Sequence, residues 1–130
     1  MNKYGQAAVQ AARMLSIGSV SFPQDAWERA TSEIFGKGTP SQKKGCPKGA
    51  FLGLCEEGYV KGVPPGNYTN STKNKRYAIQ AVNLLRKDPT LSNDPKSLWA
   101  LVMQGEPKSH NSQMDVVAAL WHEGFIANDW

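Results

Sequence analysis

The chain is poor in the residues that reactive centres most often use. Its 130 residues include two cysteines and two histidines. Cys46 and Cys55 form no CxxC, and no standard zinc-ligand spacing is present. That usage fits a reducing compartment. Long apolar runs are missing too, since nothing approaches the ~20 residues that span a bilayer. Gln6, Gln10 and Arg13 interrupt the N-terminal segment, which a signal peptide would keep apolar. The expectation is a cytoplasmic protein with no membrane partner. Disorder is excluded by a composition that is 40% hydrophobic and 20% charged.

Catalytic signatures are scarce as well. Glu56 and Glu57 are adjacent, so on a helix they do not face one site. No Ser/His/Asp pattern stands out, and the phosphate-loop spacing GxxxxGK[ST] is absent. The expectation is a protein that is not an enzyme and holds no cofactor.

Acid is missing from two stretches. Lys37, Lys43, Lys44 and Lys48 lie between Glu33 and Glu56 without an acid among them. Lys61, Lys73, Lys75, Arg76, Arg86 and Lys87 lie in the same way between Glu57 and Asp88. With a net charge of +4, these stretches suit an anionic partner or a solvated face.

What is present is helix signal. Tyr4, Ala8, Ala11, Ala12 and Leu15 recur at helical spacing up to Gly18. Pro23 opens a second helix with Trp27, Ala30, Ile34 and Phe35 on its stripe and Gly36 as its stop. After the polar loop KGTPSQKKG, Cys46-Pro47 starts a third, with Phe51, Leu54 and Cys55 inward and Gly58 as a left-handed end. Pro64-Pro65-Gly66-Asn67 breaks the chain into a linker. Tyr77, Ala81, Leu84 and Leu85 mark a fourth helix ending near Asp88-Pro89. Asp94 and Pro95 start a fifth around Leu98, Trp99 and Val102, closed by Gly105. Asn111 or Ser112 caps a sixth with Met114, Val117, Leu120 and Trp121 as core, closed by Gly124. Trp130 is placed to fold back onto the body.

The two halves match in order. Tyr4, Ala8 and Val9 align with Tyr77, Ala81 and Val82; Pro23 and Trp27 align with Pro95 and Trp99. Leu54, Glu57, Gly58, Tyr59 and Val60 align with Leu120, Glu123, Gly124, Phe125 and Ile126. The offset falls from 73 at Tyr4 to 66 at Gly58, so the second copy has a shorter loop before its third helix. The predicted fold is all-α: about six helices in one domain over 1–130. Two pseudo-repeated three-helix units, helix-turn-helix-like, occupy 1–62 and 74–130 and are joined by linker 63–73. Tyr59-Val60 and Phe125-Ile126 are expected to pair as a tiny β-ribbon.

The run KKGCPKGAFLGLCEEGYVKGVPPGNYT resembles the signature of a small uncharacterised bacterial family of unknown function. The resemblance covers most of the chain, implies a bacterial, cytosolic setting, and assigns no site residue.

Read from the residues alone, the candidate site is the third-helix start: Lys43, Lys44, Gly45, Cys46 and Lys48. Unpaired N–H groups and aligned peptide dipoles attract anions there. Cys46, beside lysines at a helix start, is a candidate reactive thiol, with His110 as the base it would need. A zinc set of Cys46, Cys55, His110 and His122 is the weakest reading. Gly49 and Gly53 predict the close approach of another helix or an open backbone surface. Two functions follow: a non-enzymatic binding protein for a small anion or polar partner, or a helix-turn-helix-like nucleic-acid module with phosphate contacts from the basic loop. The second is weakened by a third helix with no Arg, Asn or Gln to read bases.

Overall fold

The computed structural model describes residues 1–127. Trp130 lies outside them. Six α-helices follow in order: α1 (Lys3–Ser16), α2 (Pro23–Phe35), α3 (Gly45–Glu56), α4 (Thr72–Lys87), α5 (Pro95–Met103) and α6 (Gln113–His122). A short 3-10 turn, Pro89–Asn93, joins α4 to α5. The only extended pairing among the described residues is one antiparallel bridge, Val60 with Ile126. No helix among them is long and apolar enough to cross a membrane.

Local chemistry sets the helix limits. Asn2 accepts from the Gly5 N–H at 2.8 Å and starts α1. Pro23 and Pro95 sit in the first turns of α2 and α5, and Asp94 accepts from the Ser97 N–H. The start of α6 departs from expectation. Ser112 is left-handed, with φ 67°, and no side chain of Asn111 or Ser112 caps the helix. Instead His110 Nε2 accepts the Met114 N–H at 3.0 Å.

The matched helix ends of α3 and α6 have matched bonds. Tyr59 N–H donates to Leu54 O and Phe125 N–H to Leu120 O, both at 2.9 Å. Gly58 and Gly124 take φ of 79° and 76°, which closes a six-to-one helix end that a side chain would strain. Lys61 N–H then donates to Phe125 O and Ala127 N–H to Tyr59 O, each at 2.8 Å. These bonds make the expected ribbon.

α3 lies at the centre. It packs on α4 and α6, while α1 packs on α2 and α6. Where α3 crosses α4, a Cβ at Gly53 would stand 2.6 Å from the Lys75 Cα, and one at Gly49 2.8 Å from the Ser71 Oγ. Close helix approach is thus why these glycines are tolerated inside a helix. Gly5 does the same for α1 and α6, where a Cβ would meet Ala119 Cβ at 2.9 Å. Trp27 stacks on Phe51 and Trp99 meets Tyr77 edge-on, all four buried. Trp121, expected in the core, is only partly buried against it.

Candidate functional site

The basic loop ahead of α3 is fixed by one buried amide. Gln42 Oε1 accepts from the Gly38 N–H, and its Nε2 donates to Glu28 and Thr31 on α2. This turns Lys43 to solvent and sets Lys44 over α1, with its Nζ 5.4 Å from the Tyr4 ring centre. Tyr4 in turn donates to the Ser41 carbonyl at 2.8 Å. No side chain caps α3, whose preceding residue is Lys44. Gly45 is exposed with open space where a Cβ would sit, and Cys46 is half-buried.

Lys48 points elsewhere. It lines an open cleft of about 380 Å³ with Gln24, Leu52 and the linker residues Asn67 to Asn70. The predicted set therefore divides: Lys48 joins the linker, Lys44 joins Tyr4, and Lys43 stands alone in solvent.

The linker wall is held by Glu56. One carboxylate oxygen accepts from the Tyr68 and Thr69 N–H groups at 2.8 and 3.1 Å; the other accepts from Lys75 Nζ at 2.7 Å. The Lys75 ammonium and the two amides hold the Glu56 carboxyl below its ordinary value, and Glu56 in turn raises Lys75. Tyr68 Oη donates to Pro64 O at 2.6 Å, and its ring fills the space beside Gly66. The linker is thereby folded against α3. The adjacent Glu56-Glu57 pair was legible as carboxylates, but nothing in the sequence assigns Glu56 to backbone amides twelve residues away.

His110 is half-buried, with its ring 5.2 Å from Trp99 and its Nε2 occupied by the Met114 N–H. Burial lowers its pKa, Asp115 at 4.0 Å opposes this, and the Lys44 charge lowers it further. The neutral ring is the form that accepts the α6 N–H, so Nε2 is committed to the helix start. No hydrogen bond joins it to Cys46. Cys55 is fully buried and its thiol pKa is pushed up by burial, as expected of a small core residue. His122 Nε2 bonds the Ser92 carbonyl at 3.1 Å. Among the described residues, no group of three His, Cys, Asp or Glu side chains is arranged to hold a metal ion.

Neither the curated proteins nor the solved structures contain a match to this chain. One family does match, over nearly its whole length. Residues 1–127 fit DUF6979, a family of unknown function, and the chain belongs to that family.

Proposed function

We propose that this is a non-enzymatic binding protein of the bacterial cytosol, which holds a small polar anion in the cleft beside Lys48. One observation carries the reading: Gln24 at the start of α2, Lys48 in the first turn of α3 and the linker residues Asn67 to Asn70 line one cleft, and no Asp or Glu lines it. Neither helix start has a side-chain cap, which leaves N–H groups for water or a ligand. Gln24, Asn67 and Asn70 add amide donors, and Lys43 and Lys44, five and four positions before Lys48, add positive charge to the same loop and helix start.

Phosphate contact with a nucleic acid is the second reading, favoured by exposed Lys43 and Lys48. Eight of the twelve residues of α3 are buried, so a groove-reading role for α3 has little surface to work with. Titration with inorganic phosphate, followed by amide shifts, separates the two. Shifts at Gln24, Lys48 and Asn67 to Asn70, lost in Lys48→Ala, support the cleft. A mixed-sequence DNA duplex that binds in a salt-dependent way, while phosphate does not, supports the second reading.

The duplicated three-helix plan belongs to the same proposal. Its support is the paired helix ends and the ribbon, together with matched crossings: α1 meets α6 at Gly5, and α4 meets α3 at Gly49 and Gly53. On this plan each unit lends its first helix to the third helix of the other, about a pseudo-twofold.

A further inference from the structure

The outer stripe of α4 has no use in the cleft just described. Arg76, Gln80, Leu84 and Lys87 follow at helical spacing along it. Together with α5 they border two hollows, of about 260 and 170 Å³, that share Gln80, Val102 and Gln104. The hollows therefore form one groove. Its middle is apolar, with Leu84, Val102 and Leu101, which is 49% exposed. Gln80, Asn83 and Gln104 supply amides on either side.

The ends are cationic. Lys87 closes one end with no acid lining it. Arg76 closes the other beside Glu106, with Lys108 5.1 Å from the neighbouring Tyr77 ring, so that end keeps a net positive charge. Neither Arg76 nor Lys87 pairs with a carboxylate among the described residues; Arg76 rests only on the Tyr77 ring. Arg76 and Lys87 are eleven positions apart, three turns on one face, or about 16 Å at 1.5 Å per residue.

We propose that this groove docks an amphipathic helix of a partner protein, with leucine-like side chains at its centre and acids near both ends. Charge complementarity selects the occupant. A helix carrying acids eleven residues apart meets both cations, while its central aliphatic side chains lie against Leu84, Leu101 and Val102. The groove shares no lining residue with the Lys48 cleft, so the two proposals stand or fall separately.

The test is an amide-shift titration with a synthetic Ala-rich helix bearing two central leucines and terminal glutamates eleven apart. Its twin has lysines in place of the glutamates. The glutamate peptide is expected to shift Gln80, Asn83, Leu101 and Gln104, and to bind at least tenfold more weakly to Leu101→Asp. Arg76→Glu/Lys87→Glu, on exposed positions, is expected to keep the native circular dichroism and to reverse the preference between peptides. Equal binding of the two peptides, or no shifts at millimolar peptide, overturns the proposal. So do shifts in the groove produced by raising the protein concentration alone, which would make a second copy the occupant.

Discussion

Replacing Gly53 by alanine sets two physical effects against each other, and the structure says which one wins. Helix propensity favours Ala over Gly by about 1 kcal/mol in a helix interior. Packing opposes it, because the new methyl would lie 2.6 Å from both Cα and Cβ of Lys75 and 2.8 Å from its Cγ. The Cα cannot rotate away, so α4 must move. Overpacking of this kind costs about 1–3 kcal/mol, and contact with backbone belongs at the upper end. Moving Lys75 also strains its bond to Glu56, the residue that holds the linker. The expected net loss is about 2 kcal/mol. With an unfolding entropy of about 2.1 cal/mol/K per residue, a chain of 130 residues would lose about 7 °C in Tm. Urea unfolding and calorimetry measure both quantities. Gly49→Ala meets the Ser71 side chain and Asn74 Cβ, softer neighbours, and should lose about 1 kcal/mol. Gly45→Ala meets nothing within 4 Å and should stay within about 0.5 kcal/mol of the parent. A stabilised Gly53→Ala variant, as propensity alone requires, would refute the close crossing of α3 and α4.

His110 should make stability depend on pH. Its folded pKa lies below the ordinary 6.5, so its contribution is complete above about 6.5 and is lost as pH falls through the folded value. In His110→Ala, the unfolding free energy from urea titration should lack this slope and sit about 1–2 kcal/mol lower at pH 8, from the lost helix cap and ring contact; an unchanged slope counts against the cap. Glu56→Gln should cost about 1–2 kcal/mol by weakening a charge-assisted bond. Because the Glu56 carboxyl is depressed, its contribution is present above the ordinary 4.5 and fades as pH falls through the folded value, so acid unfolding should be shallower in the variant. Ellman's reagent should modify half-buried Cys46 in the native protein and reach Cys55 only on unfolding; rapid native modification of both thiols would contradict the buried α3.

Much of this fold could be read before any coordinates. Pro23, Pro95 and Asp94 mark helix starts because prolines and caps act within one turn. Gly58 and Gly124 mark helix ends for the same reason, and Gly49-Gly53 announced a close neighbour. What escaped depends on distant partners. His110 reads as a loop histidine and serves as the cap of α6. Gln113, a polar residue at a helix start with nothing local to mark it as core, is fully buried and bonded to Asn111 and Asn74. The stripe on α3 looked one-sided, yet Leu52 and Ala50 are buried too, because helices cover more than one face. The site was half legible. The lysines around Cys46 were visible, but the wall opposite Lys48 is built by a long-range bond from Glu56 that leaves no local pattern.

The contact between α1 and α6 has a consequence for how the chain comes into being. α1 finds one of its two partners, α6, only after the residues that separate them have been made. At about 5–20 residues per second, the roughly hundred residues between them take on the order of ten seconds to synthesise. Throughout that interval the alanine face of α1 has only α2 to cover it. Closure of so long a loop also raises the contact order, which slows folding relative to a bundle of sequential hairpins. This body should therefore acquire its structure only once α6 has emerged, in one late step, and a nascent chain arrested before Gln113 should be open to protease from α1 onward.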